Sequence, residues 1–413
     1  MGKRVISPAS SPAAGAAPAC GGAEARPLAV YVHWPFCLSK CPYCDFNSHV
    51  AEAIDQAAWR QAYLGEIDRT KALLGRRRVS SIFFGGGTPS LMDPETAGAI
   101  IARILSAWPA RGNDAPEVTL EANPNSAEAA RFAAFREAGV NRLSLGVQAL
   151  DGAALRFLGR SHGAGEALSA LANAKRHFAR VNADMIYARP GQSEAAWAAE
   201  LGRLLAEGLG HLALYQLTIE RGTPFFAAHR RGDFALPGAE AEAGLYELTG
   251  EILGRAGLSA YEVSNYAKPG EECRHNLTYW RYGDFAGIGP GAHGRLTLAD
   301  GMVATEALRR PEDWIEAVRR LGSGERARAP VSLRERAEEM VMMGLRIGEG
   351  VDEARFREVT GGGFADHLDA RGLERLIAAG YLEAAGRRLA ATEAGRMRLN
   401  AVIAELFPEA DAP

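Results

Sequence analysis

The sequence predicts an α/β fold: a partial (β/α)6 barrel followed by a mostly helical, winged-helix-like domain. Three observations predict it. Short apolar runs alternate with amphipathic segments, chemically distinctive residues sit at the same end of successive runs, and the pattern gives way after the sixth run. Strands alternating with helices imply βαβ units and a parallel sheet. Six such units would close most of a barrel without completing an eight-strand ring, and an open doubly wound sheet accounts for the periodicity almost as well.

The apolar runs are Ala29–His33, Ser81–Phe84, Val118–Leu120, Arg142–Val147, Ala183–Tyr187 and Leu212–Leu217. Helices are predicted between them over Gln56–Leu74, Pro94–Trp108, Ser126–Ala138, Ala164–Phe178 and Ser193–Glu207, from apolar residues at helical spacing. A cysteine loop follows the first run, Gly85-Gly86-Gly87-Thr88-Pro89 the second and Glu121 the third. Gln148 follows the fourth, and Asp184 sits inside the fifth. Parallel barrels and sheets bind ligands at the C-terminal ends of their strands, so this placing favours the barrel and marks that end as the site. Beyond the sixth run, a helix over Gly238–Ala256 and a strand over Ala260–Val263 lead into "CRHNLTYWRYGDFAGIGPGAHG", Cys273–Gly294. From about Pro330 the chain reads as mostly helical, and "GLERLIAAGYLEAAGRRLAATEAGRMRLNAVI" reads helix, short hairpin, helix. Met340, Met342 and Met343 on this segment are expected to fill its core. The expected division is a leader over 1–27, a barrel with an extension over 28–325 and a helical domain over 326–413.

The 413 residues, 47% of them hydrophobic and 23% charged, suffice for one large core and a smaller one. A net charge of −3 and a pI near 6.4 provide no global field for nucleic acid or an anionic membrane. The basic run Arg76-Arg77-Arg78 reads as a solvated helix end, and no apolar run is long enough to cross a bilayer. Pro8, Pro12, Gly15 and Pro18 interrupt any apolar signal region near the start. "APAC" at Ala17–Cys20 lacks such a region too, so the stretch to Pro27 reads as a disordered leader with Cys20 an incidental thiol. Five cysteines, three of them crowded together, read as an intracellular metal site rather than a disulfide framework, and a cytoplasmic location is expected.

That site is "VHWPFCLSKCPYCDFNSHV", where Cys37, Cys41 and Cys44 stand in C-x3-C-x2-C spacing with no fourth cysteine. Zinc is one reading, closed by His49 or Cys273. A 4Fe-4S cluster is the stronger one, because thiolates hold such clusters and three of them leave one iron open. S-adenosylmethionine offers an amino and a carboxylate group to that iron and a cationic sulfonium beside it. A reduced cluster could then cleave a carbon–sulfur bond and release a 5′-deoxyadenosyl radical.

C-x3-C-x2-C with Tyr43 before the last cysteine is the radical S-adenosylmethionine signature. With "FFGGGTPS", "LEANP", "LGVQ", "LGRSH" and "DMIYARPGQ", the chain resembles the oxygen-independent coproporphyrinogen III oxidase-like family over about Leu28–Phe407. The resemblance implies that Cys37, Cys41 and Cys44 hold the cluster and that Tyr31 and Tyr43 line S-adenosylmethionine. It implies a backbone contact to the methionine portion at Gly86, and further cofactor contacts at Gly87, Thr88 and Glu121. Glycine suits such a loop because it lets backbone approach a ligand closely. Gln148, Arg160 and Asp184 match positions that hold a second S-adenosylmethionine in the oxidases. "MIYARPGQ" departs from the family's "LIYGLPGQ" at Ala188 and Arg189, which is expected to alter a loop beside the pocket.

Within the family, the oxidases carry a further cysteine two positions beyond the last cluster ligand and a longer ordered N-terminal region. Here Phe46 takes the first place and the leader the second, which puts oxidase activity in question and matches the heme-chaperone branch. That branch implies heme as a further ligand, heme-accepting proteins (membrane-associated ones included) as partners, and an electron donor. The H-N-x-x-Y-W motif of that branch is matched by "CRHNLTYW", with His275 and Cys273 as candidate axial ligands and Tyr279 and Trp280 as flat apolar surfaces. His33 is expected to line the cluster loop and His293 to be structural.

Overall fold

A computed structural model describes residues 26–110 and 115–407. All of the expected leader except Arg26 and Pro27, and with it Cys20, lies outside the described residues.

All six expected strands are present, each longer than its apolar run or shifted by a residue: β1 Pro27–Trp34, β2 Arg78–Gly86, β3 Glu117–Ala122, β4 Arg142–Gln148, β5 Arg180–Tyr187 and β6 His211–Gln216. They pair in parallel and in chain order, Val30 beside Ile82, Ile82 beside Val118, Leu120 beside Leu143 and Ala183 beside Leu212. A doubly wound sheet requires the strand order to reverse at a switch point. This order never reverses through the six, so the barrel winding holds and the alternative falls.

The sheet is wider than the expected barrel and does not close. Beyond β6 it adds two short antiparallel strands, β7 Ser259–Ala260 at the edge and β8 Asn265–Ala267 inside it. On the other side of β1 lies a seventh parallel strand, β9 Asp284–Ile288, followed by antiparallel β10 His293–Leu298, β11 Gly301–Ala307 and β12 Glu325–Pro330. Of the expected strand Ala260–Val263 only Ala260 is in a strand, and the chain does not re-enter the sheet until Asn265. Buried Glu262 accepts from the backbone N–H of Ser264 at 2.7 Å and from Asn265 Nδ2 at 2.5 Å, which takes a donor that a continuous ladder would have used.

The covering helices are α1 Gln56–Leu74, α2 Pro94–Ala107, α3 Ala164–His177, α4 Glu194–Leu205 and α5 Ala239–Arg255. The predicted helix Ser126–Ala138 is instead two short pieces, Ser126–Ala129 and Phe132–Glu137. Buried Glu128 is drawn inward by Asn123 and Asn125, and Arg131 reaches across to the carbonyls of Ser90 and Met92. Two further helices matter for the site: α6 Arg274–Trp280 and α7 Pro311–Leu321. Helix α7 seals the flank of β1, its buried Trp314 stacking on Trp59 of α1 with centroids 5.7 Å apart and planes 2° off parallel.

The C-terminal region has its own core around Val341, Phe356, Leu389 and Leu406. It starts with α8 Leu333–Gly344, fixed by a capping box between Ser332 and Glu335. Helix Ala370–Ala378, the hairpin β14 Leu382–Ala385 with β15 Arg388–Ala391, and helix Leu399–Leu406 follow the expected helix–hairpin–helix order, and β13 Val351–Asp352 pairs with β15. Met340 enters this core, whereas Met342 is 41% exposed, so the expectation of core filling fails for that methionine.

The basic run Arg76-Arg77-Arg78 is not uniformly solvated. The Arg77 side chain is 2% exposed, as is Asp284, and Arg77 Nη1 stands 3.2 Å from Asp284 Oδ2. Asp284 also accepts from the backbone and hydroxyl of Thr297 at 2.9 and 2.7 Å, so one buried pair ties β9 and β10 to the start of β2. Removing one partner of a buried pair strands the other charge. Asp284→Ala is therefore expected to lower unfolding free energy by about 3–5 kcal/mol, read as a lower urea midpoint; a loss under about 1 kcal/mol would show that this pair does not hold the flank.

Candidate active site at the cysteine loop

Strand β1 ends at Trp34, and the chain turns into the cysteine loop with Phe36–Cys37 pairing in parallel with His49–Val50. A turn from Cys44 N to Cys41 O, 3.1 Å, sets the last two cysteines, and the neutral His33 ring bonds on both sides, Nε2 donating to Asn47 O at 2.9 Å and Nδ1 accepting from Tyr31 OH at 2.9 Å. The glycine loop after β2 is zipped onto this one. Gly87 N donates to Trp34 O at 2.7 Å and Thr88 N to Phe36 O at 2.8 Å. A Cβ on Gly87 would lie 2.6 Å from Phe36 O, and one on Gly86, whose φ is +113°, would lie 2.5 Å from the His33 ring. These glycines are thus required by the cysteine loop itself.

Both loops open onto one cavity of about 740 Å³ at the C-terminal ends of the strands, within the size range of small-molecule sites. Every expected cluster and S-adenosylmethionine residue lines it except Tyr31. Tyr31 stands behind the wall, its ring against Phe83 and the backbone of Gly85. Each sulfur has a polar neighbour: Thr88 Oγ1 donates to Cys37 at 3.4 Å, Arg160 Nη1 to Cys41 at 3.3 Å, and Ser48 Oγ lies 3.8 Å from Cys44. Burial pushes the Cys37 thiol above its ordinary range. Arg160 also donates to Gly146 O at 3.1 Å and Asn123 Oδ1 at 2.5 Å, so it is built into the wall and is not a surface charge.

Glu121 and Asp184 face one another's field across the cavity. Burial first, then Asp184, pushes Glu121 up to about 8, against a hydrogen bond from the Gly86 backbone. Burial pushes Asp184 up to about 6, against donors from Asn182 at 2.6 Å and Ser144 at 3.2 Å. Gln148 sits at the end of β4 with φ +67°, a strained left-handed backbone of the kind found at ligand sites. Two under-compensated carboxyls beside three thiols fit a cationic ligand held against an iron–sulfur cluster. Among the described residues no group of three or more His, Cys, Asp or Glu converges as the ligands of a single ion would. Cys273 is fully buried against Glu117, 3.4 Å away at the opposite end of β3, and His49 bonds Asn47 Oδ1 at 3.3 Å.

The candidate heme ligands are placed differently from expectation. Helix α6 covers the N-terminal ends of the barrel strands, away from the cysteines. His275 is 2% exposed, with Nδ1 3.0 Å from Ser81 Oγ, Nε2 2.8 Å from Tyr279 OH, and its ring stacked on Phe83. Neither ring nitrogen is free to meet an iron in this conformation, and Cys273 is shut in beside Arg142 and Glu117. His293, expected to be structural, opens β10 as an exposed residue beside Glu306. The departure at Ala188 and Arg189 is accommodated by a left-handed Ala188, φ +55°, and by a buried Arg189–Glu200 pair. Residues missed in the sequence include Asn123, Ser144 and Asn182, which bond the expected site residues. Asn182 and Asp184 are two apart on one strand and so share a face, the one signal that pointed to it.

Gly87→Ala is expected to fold with a displaced cysteine loop and to retain little iron and sulfide after anaerobic reconstitution, while Gly163→Ala, where a Cβ meets nothing, retains both. The Glu121 carboxyl binds its proton more tightly folded than unfolded. Its stabilising contribution is full below about pH 4.5 and is lost as pH rises through about 8 in the ligand-free protein. Glu121→Gln should flatten urea stability across that window; an unchanged slope would remove Glu121 as its cause.

Comparison with known proteins accords with this geometry. The radical SAM superfamily profile matches residues 31–201 and the HemN C-terminal domain profile residues 331–398. The chain is 42% identical over 335 residues to "Radical S-adenosyl methionine domain-containing protein 1, mitochondrial" of Bos taurus, covering 80% of this chain and 75% of that one. It is 36% identical over 384 residues to "Heme chaperone HemW" of Escherichia coli (strain K12), covering 92% and 98%. The solved structure of Escherichia coli coproporphyrinogen III oxidase (HemN) shares the fold, with a TM-score of 0.77 at 22% identity over 93% of this chain and 91% of that one. A site of three cysteines above a barrel cavity, joined to the C-terminal domain that goes with it, places this chain in the radical SAM superfamily, in its HemN-like group and on the HemW branch.

Proposed function

We propose that this protein binds heme together with a 4Fe-4S cluster and S-adenosylmethionine and hands the heme to acceptor proteins. The observation that carries the heme reading is the lip of the cavity. The cysteine loop leaves Leu38 66% and Phe46 61% exposed beside the mouth, apolar surface of a kind that marks a binding site and suits a flat porphyrin. Phe46 also stands where the oxidases of the family carry their further cysteine. Relatives named heme chaperones, similar over nearly their whole length, support the same reading.

Cys37, Cys41 and Cys44 would hold the cluster, which with S-adenosylmethionine supplies one-electron reductive chemistry when bound. The chain's own part is to position and shield. Thr88 and Arg160 direct donors at two of the sulfurs, an arrangement that stabilises thiolate charge. Glu121 and Asp184 would accept from the ammonium end of the cationic ligand, whose charge would offset the burial that raises both carboxyls. The acceptors we propose include membrane-associated proteins approached from the cytoplasm, with an electron donor serving the cluster; among the described residues no helix is long and apolar enough to cross a membrane.

The alternative is oxidative decarboxylation of coproporphyrinogen III, favoured by the likeness of fold to the oxidase. Titrating heme into anaerobically reconstituted protein separates the two. Saturable binding that weakens in Phe46→Lys, with iron and sulfide unchanged, is the expected result. No heme binding by the cluster-loaded protein, with turnover of the porphyrinogen, would overturn the chaperone reading.

A further inference from the structure

Between helix α6 and Asp184 runs an unbroken series of hydrogen bonds whose donors all face one way. Asn276 Nδ2 donates to Tyr261 OH at 3.3 Å, and Tyr261 OH stands 2.8 Å from His211 Nε2. His211 Nδ1 stands 2.7 Å from Asn182 Oδ1, and Asn182 Nδ2 donates to Asp184 Oδ1 at 2.6 Å. Chemistry at each step fixes the direction. The amide nitrogen of Asn182 faces Asp184 and Ser144 Oγ, so its oxygen faces His211 and accepts. His211 then donates from Nδ1. Burial, with Arg142 and Arg180 beside it, keeps this imidazole neutral, so Nε2 accepts from Tyr261. Burial also holds the Tyr261 hydroxyl protonated, and its oxygen accepts from Asn276.

Buried polar groups need partners wherever they lie, and a closed local ring would satisfy them equally well. This series is instead open. It starts on the helix that closes the floor, borders the cavity at Asn276, His211 and Asn182, and ends on a carboxyl aimed into it. The same helix sets His275 under Phe83 and Tyr31, with ring centroids 5.0 and 6.3 Å away. We propose that Asn276, Tyr261, His211 and Asn182 are positioning residues that fix Asp184 as an acceptor for the cationic end of S-adenosylmethionine, and that this is what the H-N-x-x-Y-W segment supplies in place of an iron ligand. The proposal rests on the reading that S-adenosylmethionine contacts Asp184.

Tyr261→Phe cuts the series at its centre while keeping the ring. The titratable groups that also face Asp184 are Glu121 on β3, Arg142 on β4, Arg160 after β4 and Tyr215 on β6, with His211 behind Asn182; the variant leaves all of them in place. In full-length, anaerobically reconstituted protein, affinity for S-adenosylmethionine is measured by equilibrium dialysis between about pH 5 and pH 8. Tyr261→Phe is expected to weaken binding roughly three- to tenfold. It should also move the acid limb of the affinity profile to higher pH, because a carboxylate that loses its oriented donor is harder to ionise. Iron, sulfide and heme affinity should not change. A merely structural role would lower thermal stability without moving the acid limb. If Asp184→Asn abolishes binding while Tyr261→Phe matches the parent in affinity and profile, the positioning role is overturned. Parent affinity in Asp184→Asn would instead overturn the placing of S-adenosylmethionine on which the role rests. Loss of heme affinity alone in Asn276→Ala would return the segment to heme.

Discussion

Two backbone hydrogen bonds, from Gly87 to Trp34 and from Thr88 to Phe36, carry the arrangement at the mouth of the cavity. They continue the parallel ladder of β1 and β2 past its last strand pair, Trp34 beside Gly86, and into the loops. A fourteen-residue cysteine loop left to itself would lose too much chain entropy on ordering to present three thiols together. Here it is held by the sheet at Phe36 and by Pro42 lying against Gly159, where a Cβ would come within 2.6 Å. The loops that carry the chemistry are therefore extensions of the scaffold, which is why substituting a single glycine threatens all three sulfurs at once.

That anchorage needs β1 to be immobile, and the flank beside it supplies this. Trp34, Trp59, Tyr63 and Trp314 are buried together, and Tyr63 donates to His33 O at 2.5 Å, immediately before the loop begins. An open barrel leaves the face of β1 without a partner strand. The seventh parallel strand, Asp284–Ile288, and helix α7 fill that place, drawn from chain some 250 residues downstream. The extension is thus part of the scaffold of the site, although none of its residues binds a sulfur.

The parts legible in the sequence are those whose cause is local. Helix α1 has the bounds its apolar spacing predicts, and the six strands show because each is buried on both faces and closed by a polar or glycine-rich end. The cysteine triplet is legible because ligand spacing is a property of one loop. Strand β12 was not, because its exposed ERARAP pattern is a strand only by virtue of its neighbour β11. Arg77 looked solvated because its partner, Asp284, lies far along the chain. The bonding of His275 is hidden in part for the same reason, since Ser81, on its Nδ1, lies 194 residues away, while Tyr279, on its Nε2, is one helical turn on.

Charge explains why the site is built around two raised carboxyls. Burying Glu121 and Asp184 near each other costs the ligand-free protein, and Arg142 and Arg160 offset only part of it, since Arg142 is shared with Glu117 and Arg160 with Cys41. Moving either arginine closer would settle the carboxyls but would also satisfy them, leaving nothing for a ligand to gain. The structure instead directs Asn182, Ser144 and the floor network at Asp184, neutral donors that orient a carboxylate without cancelling its charge. In the proposed function, a cation entering the cavity would complete an electrostatic arrangement that the fold leaves deficient, and stability lost on burying the two acids would be recovered as binding. On this argument the raised carboxyls and the orienting network are one device: the first creates the demand for positive charge, and the second decides where in the cavity it is met.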